Sequence, residues 1–175
     1  MTIWDMSAVE VWCTLSFIHV LIIKGRMLLT GQEFIIAIIY APCESTAKEA
    51  LWVCFSEFIL NHGDANFCIC GDFNYVRLED ERRGRCVIFR QGDAENFNNF
   101  IGGCILIYLL ICGRHFIWYR GDGISMSRLD RFLLSANWCE SWPNCIEVAH
   151  QEGFQIMFRC CFMLRMQTGD LDRCG

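Results

Sequence analysis

The sequence contains no Cys-x-x-Cys pair, no apolar run near the ~18 residues needed to cross a bilayer, and no basic start followed by an apolar stretch. The first absence removes the usual zinc spacings. The second makes membrane insertion an unlooked-for outcome; the longest apolar run, Cys104 to Cys112, suits a buried strand. The third, with Asp5 and Glu10 near the start, speaks against a secretory leader. An intracellular, non-secreted chain without a disulfide framework is therefore expected. No internal repeat, low-complexity tract or linker is present, and nothing points to an obligate protein partner. Lysine is scarce, so positive charge falls on arginine.

What is present is unusual in other ways. The 175 residues are 54% hydrophobic and carry a formal charge of −5. That length supports one domain with a real core. The acidic total argues against a generally basic nucleic-acid binder. Charge is uneven, however: between Arg82 and Arg131 eight arginines face four acids. Arginine-rich surface suits phosphate contact, although a solvated face reads the same way. The thirteen cysteines read as small buried hydrophobes. A cysteine-based metal or redox module ranks last among the readings.

Periodicity gives a coarse fold. Residues 9–23 alternate and then become apolar, Lys24-Gly25-Arg26 reads as a turn, and Phe34 to Tyr40 is a buried strand closed by Pro42. Residues 45–62 read as a helix, with Thr46 and Glu49 as a capping box and Ala47, Ala50, Leu51, Cys54, Phe58 and Ile59 as its apolar stripe. Phe67 to Cys70 is a short buried strand. A second helix runs from Asp93 to Ile101, followed by a strand over Cys104 to Cys112. Phe116 to Tyr119 and Ser127 to Leu134 read as strands, and Trp138 to Trp142 as a short helix or turn. Strands alternating with helices imply an α/β layered domain.

Within that frame a few residues can carry chemistry. Asp72 directly follows a buried strand, the edge that α/β sheets use for ligands. Asp72 and Asn74 are two apart, so an extended backbone would point both the same way. A carboxylate can take a proton from water while an amide holds the water or a phosphate oxygen. Gly, Asp and Asn are equally turn formers. Asp130 lies inside an apolar run and needs a partner; Arg128 and Arg131 are local candidates, and orienting a histidine is the alternative. Tyr40 ends a strand and could donate to a phosphate oxygen. Trp118 and Tyr119, beside Arg120, could stack on a base or pack in the core. The four histidines show no ligand spacing.

Taken together, Tyr40-Ala41-Pro42-Cys43, Cys70-Gly71-Asp72-Phe73-Asn74, Glu81-Arg82-Arg83-Gly84, Trp118 to Gly123 and Ser127-Arg128-Leu129-Asp130-Arg131-Phe132-Leu133 resemble the endonuclease/exonuclease/phosphatase family. More narrowly, they resemble the endonuclease domain of plant LINE-type (non-LTR) retrotransposons. The resemblance implies an α/β fold, a partial four-layer sandwich of two facing mixed sheets flanked by helices, over residues 1–153. It implies DNA as partner and Mg²⁺-assisted attack of water on a phosphodiester. Asp72 would activate the water, Asn74 hold the phosphate, Tyr40 contact it, and Asp130 orient a histidine. Arg83, Arg114, Trp118, Arg120 and Arg128 would meet DNA.

Departures from the family pattern imply an inactive copy. The metal-binding Glu of the family belongs to a strand upstream of the matched residues. Ile38 stands where Asn is usual, Tyr108 for Asp, Leu110 for Pro and Ile117 for Thr. The closing Ser-Asp-His should follow Gly153, where the chain reads Phe154 to Phe162 instead. A one-base shift lets codons for Gly153 to Phe162 spell Gly-Leu-Ser-Asp-His-Val-Pro-Leu-Leu-Leu, so residues 154–175 are expected to be an out-of-frame tail. Loss of an N-terminal strand would expose a sheet edge and lower solubility. The alternatives are an active phosphoesterase of the same superfamily acting on a small phosphoester, or a non-catalytic nucleic-acid-binding module.

Overall fold

The computed structural model describes residues 6–84, 91–109, 111–112, 118–119, 125–152 and 157–164. Its main element is a six-stranded mixed sheet. In chain order this uses β1 (Val9–Ser16), β2 (Val20–Met27), β3 (Glu33–Tyr40), β4 (Phe67–Asp72), β6 (Ile107–Tyr108) and β10 (Asp130–Leu134), laid out as β1-β2-β3-β4-β10-β6. β3 and β4 are parallel, joined through helix α1 (Ser45–Leu60); β1–β2, β2–β3, β4–β10 and β10–β6 are antiparallel. A parallel pair needs such a crossover, and the buried, β-branched composition of β3 and β4 is what a covered central strand requires.

Each face of the sheet has its own apolar layer. Ile22, Ile35, Ala37, Ile39, Ile69 and Leu133 pack under α1 and α2 (Gln91–Gly103). The centre of that layer is Trp52, with Phe100 at 4.8 Å, Phe97 at 5.4 Å and Phe73 at 5.8 Å between ring centroids. Truncating a fully packed aromatic of this kind costs about 3–5 kcal/mol. On the other face Ile23, Phe34, Cys68, Phe132 and Leu134 pack with Trp138 and Trp142. Trp138 belongs to α3 (Ala136–Ser141), whose N-cap Ser135 accepts from the Trp138 N–H. Cys145, the first residue of β11 (Cys145–Glu152), packs against this second face.

Two smaller sheets complete the fold. β11 pairs with β7 (Ile111–Cys112) and with β12 (Met157–Leu164); β5 (Arg82–Arg83) and β8 (Trp118–Tyr119) flank β9 (Met126–Ser127). The α/β class and the combination of one large mixed sheet, a second small sheet and flanking helices are as expected. Residues 157–164 pair along the whole of β11; residues 153–156 and 165–175 lie outside the described residues.

Several local expectations change. Lys24-Gly25-Arg26 is not a turn but the middle of β2. Glycine is needed there because a Cβ would lie 2.4 Å from the Glu10 carbonyl oxygen and 2.8 Å from the Phe34 ring across the sheet. The reversal falls instead at residues 17–19, where Phe17 and Ile18 are exposed. On α1 the Thr46–Glu49 box does not form: Glu44 is the N-cap without a side-chain cap, and Glu49 accepts from Asn96 at 2.6 Å. Its buried stripe is Lys48, Trp52, Phe55 and Ile59, rotated from the expected one; Ala50 and Cys54 are exposed. The apolar run Cys104 to Cys112 is not one strand. It holds a turn at Cys104-Ile105 just after α2, then β6 and β7 in two different sheets. Hydrophobicity alone cannot show that break.

Candidate active site at the end of the central strands

Three functional candidates meet at one sheet end. β4 finishes Cys70-Gly71-Asp72, and Gly71 has φ of +124°; a Cβ on it would lie 2.1 Å from the Ile39 carbonyl oxygen. Only glycine therefore lets β3 and β4 close at this point. The register then sets Tyr40 opposite Asp72 on one side and Asp130 opposite Asp72 on the other. Directly opposed residues share a face. The row Tyr40–Asp72–Asp130 continues the lines Ile36–Ile38, Cys68–Cys70 and Leu134–Phe132 along the face that carries Trp138.

Both carboxylates are raised above the ordinary aspartate value. Burial pushes the Asp130 carboxyl up to about 6, the negative charge of Asp72 adds to the rise, and Arg131 opposes it. Asp72 is likewise raised by burial, against the pull of the Asn74 N–H and the Lys48 charge. Held this way, the pair keeps a proton to higher pH than a free aspartate would. Tyr40, at 68% exposure, presents its ring to solvent beside them.

Asn74 is placed differently from the extended arrangement expected. Its φ of 50° is left-handed, its N–H donates to Asp72 Oδ1 at 2.8 Å, and its Nδ2 donates to the Ala41 carbonyl at 2.6 Å. Residues 72–74 thus form a tight turn, because an Asx side chain can cap its own backbone two residues on. One N–H of its side-chain amide ties the turn to β3 through the Ala41 carbonyl.

The expected ion pair of Asp130 with Arg128 or Arg131 is absent among the described residues. Neighbours on a strand face opposite ways, so Arg131 enters the α-helical side. There it is fully buried and forms a bidentate pair with Glu81, Nη1 to Oε1 at 2.8 Å and Nη2 to Oε2 at 2.6 Å. Arg131 also donates to the Tyr108 hydroxyl and the Tyr75 and Arg128 carbonyls. Burial works to raise Glu81, but the Arg131 hydrogen bonds and charge and the Arg77 and Leu78 N–H groups hold it below its ordinary value.

The five residues assigned to DNA separate. Arg83 and Trp118 belong to the β5-β9-β8 sheet through Met126 and Ser127, the strand that leads within two residues to Asp130. Arg83 is exposed. Arg128 is not an open phosphate contact: it is 7% exposed, with its guanidinium 5.0 Å from the Tyr108 ring centroid. Arg114 and Arg120 lie outside the described residues.

Two residues at the site were missed from sequence. Lys48 is buried and donates to the Asn74 carbonyl at 2.8 Å. Stepping back four and then seven from Trp52 and Phe55 along α1 would have found it, since both steps land on 48. His19 follows from the β2–β3 register as the neighbour of Tyr40; its Nδ1 lies 3.2 Å from the Tyr40 carbonyl oxygen, and its own carbonyl accepts the Tyr40 N–H. Only strand pairing reveals that contact.

No family model matches the sequence, and no curated protein does. Solved structures do match. The human Nocturnin catalytic domain with bound sulfate aligns at TM-score 0.51 and 14% identity, over 75% of this chain and 50% of that one. D. rerio TDP2 complexed with single-strand DNA product gives 0.54 and 15%, over 87% and 64%. The Bacteroides thetaiotaomicron VPI-5482 mannosyl-6-phosphatase gives 0.52 and 10%, over 90% and 64%. The chain thus spans about half to two thirds of the length of these structures. At such identities the likeness establishes architecture: this chain has the α/β sandwich fold of the endonuclease/exonuclease/phosphatase proteins.

Proposed function

We propose that the chain is the remnant of a phosphodiester-cleaving endonuclease domain of a LINE-type retrotransposon, silent as a nuclease in this copy. The observation that carries the phosphoester reading is the in-register row Tyr40–Asp72–Asp130 at the end of the central strands. Asp72, the member engaged by Asn74 N–H and Lys48, is suited to take a proton from an attacking water. The exposed Tyr40 hydroxyl is suited to donate to a non-bridging phosphate oxygen. Substrate at this edge would be flanked by Arg83 and the β5-β9-β8 sheet.

The family chemistry also uses Mg²⁺. Asp72 and Asp130 supply two hard oxygen donors from adjacent strands, which fits an ion that takes one or two carboxylates and fills its shell with water and substrate phosphate. Bound there, Mg²⁺ would polarise the phosphate and relieve the like-charge contact. Among the described residues no group of three or more His, Cys, Asp or Glu forms a ready-made metal cage.

Silence is supported by how the described residues are engaged. Asp130 faces Asp72, and the Asn74 amide is held by Ala41. Catalytic groups act as a unit, and survivors do not restore the missing members. The expected result is no Mg²⁺-dependent nicking of supercoiled plasmid above that of Asp72→Ala. Clear nicking that Asp72→Ala abolishes would overturn the silence. Retention on DNA that falls with salt, without turnover, would favour the binding-module reading. The out-of-frame origin of residues 154–175 is tested by the genomic sequence: a one-base shift near Glu152 must restore Ser-Asp-His.

A further inference from the structure

Arg77, Arg128 and Arg131 bring their guanidinium carbons to 4.9, 5.0 and 5.4 Å from one point, the Tyr108 ring centroid. Cations gathered below the surface are costly unless anions or oriented acceptors meet them. Among the described residues Glu81 is the carboxylate hydrogen-bonded to them, and it is fully engaged. Its two oxygens take Arg131, and Oε2 also accepts the Arg77 and Leu78 N–H groups. Arg77 Nε donates to a neutral acceptor, Asn98 Oδ1, at 2.7 Å. Arg128 is 7% exposed, and among the described residues its Nε and Nη2 have no hydrogen-bond partner. Those two atoms form one edge of the guanidinium, a fork that matches two oxygens of a single anion. Arg77, Asn98 and Tyr108 are half-buried, so the cluster reaches solvent along that rim. Tyr108 packs with the layer under α1 and α2, across the sheet from the Tyr40–Asp72–Asp130 row.

We propose that this cluster is an anion site: the free edge of Arg128, with Arg77 and Arg131 beside it, takes one small oxyanion of the phosphate class from solution, and that ion stabilises the fold. The Tyr108 ring attracts the cations weakly, and its hydroxyl accepts from Arg131. Neither gives the Arg128 fork a pair of oxygens. A tetrahedral oxyanion has two for that fork and others for the neighbouring guanidinium groups. The burial of Arg128 favours a free ion over a phosphate carried on a nucleic-acid chain. The proposal does not depend on the phosphoester reading, which concerns the opposite face of the sheet.

The test is urea unfolding with chloride exchanged for inorganic phosphate at constant ionic strength. The proteins are the unsubstituted chain, Arg128→Met and Tyr108→Asp, the last placing a carboxylate inside the cluster. An ion that binds the folded state alone raises the folded-to-unfolded ratio, which climbs tenfold per tenfold in free ion above the dissociation constant. That rise is expected in the unsubstituted protein and not in either variant. General stabilisation by phosphate acts on all three alike, so the difference between the proteins is the readout. Equal phosphate dependence in all three, or none in the unsubstituted protein, would overturn the proposal. If Arg128→Met does not fold, Tyr108→Asp decides, together with the phosphorus NMR linewidth of inorganic phosphate. Broadening by the unsubstituted protein that Tyr108→Asp removes is expected; broadening by both alike, or by neither, would overturn the site. A single-stranded oligonucleotide of equal phosphate content is expected to produce no such difference between the proteins, and a matching difference would overturn the free-ion assignment. Plasmid nicking is a separate readout, so failure here leaves the phosphoester reading standing.

Discussion

Replacing Asp130 with asparagine should make the protein more stable at neutral pH and leave it unchanged in acid. The group is raised from 3.8 to about 6 in the folded state, chiefly by burial and then by Asp72. A carboxyl raised on folding binds more protons folded than unfolded, so stability falls as pH climbs between the unfolded and folded values. Below pH 3.8 both states hold the proton and nothing is lost. Above about 6 both have released it, and the folded state bears the whole cost. At 1.36 kcal/mol per unit, a shift of about two units is worth about 3 kcal/mol. Asparagine is nearly isosteric and uncharged, so it removes that cost without opening a cavity. The expected gain for Asp130→Asn is about 1–3 kcal/mol at pH 7.5, shrinking towards zero near pH 4. Urea unfolding followed by far-ultraviolet circular dichroism at several pH values measures it. A gain independent of pH, or a loss at pH 7.5, would show that Asp130 is not held against its own charge. It would remove the electrostatic case for the site.

Glu81→Ala should cost about 3–5 kcal/mol, because it strands a fully buried guanidinium, while Glu81→Ala combined with Arg131→Met should cost less than the sum of the two single changes; urea unfolding of the cycle checks both. Tyr108→Asp should destabilise less than Tyr108→Leu. Among the described residues the buried Nε and Nη2 of Arg128 have no hydrogen-bond partner, and a carboxylate at 108 can offer one, whereas leucine removes the hydroxyl that accepts from Arg131 without replacing it; an aspartate variant melting below the leucine variant would refute this.

The parts of the fold legible in the sequence are those that one local rule decides. α2 is legible to within two residues at each end because Phe97, Phe100 and Ile101 share a helical face and nothing competes with them. Phe34 to Tyr40 and Phe67 to Cys70 were legible because buried parallel strands are continuous apolar runs. The juxtaposition of the candidate residues is legible as far as strand ends reveal it: Asp72 and Asp130 are opposed, and Tyr40 stands beside them. What stayed hidden depends on pairing across the chain. Gly25 looks like a turn until Phe34 is found against it. Asp130 looks like the partner of Arg131 until Glu81, fifty residues away, is seen to hold that arginine. Lys48 looks solvated until the rotation of α1 is known.

Two of the positions where the sequence departs from the pattern its resemblance implies, Ile38 and Tyr108, lie among the described residues, and their surroundings differ. Ile38 lies on β3 two residues before Tyr40, and there it packs with Cys70 and Leu21 in the face that carries Phe132 and Trp138. An apolar side chain at that point extends a core that accepts hydrophobic groups of about the right size. The sheet is therefore well packed one row from the carboxylates. Tyr108 is the harder exchange, since it lies among the guanidinium groups of Arg77, Arg128 and Arg131, 4.9, 5.0 and 5.4 Å from its ring centroid. The ring face offers each cation a weak attraction and the hydroxyl accepts one hydrogen bond, so part of the electrostatic need is met without an anion. Among the described residues Arg128 Nε and Nη2 and Arg131 Nε are left without a hydrogen-bond partner. Both side chains pack where a shorter polar one would make directed contacts instead. Burial is tolerant of shape and position, whereas proton transfer and phosphate binding are not.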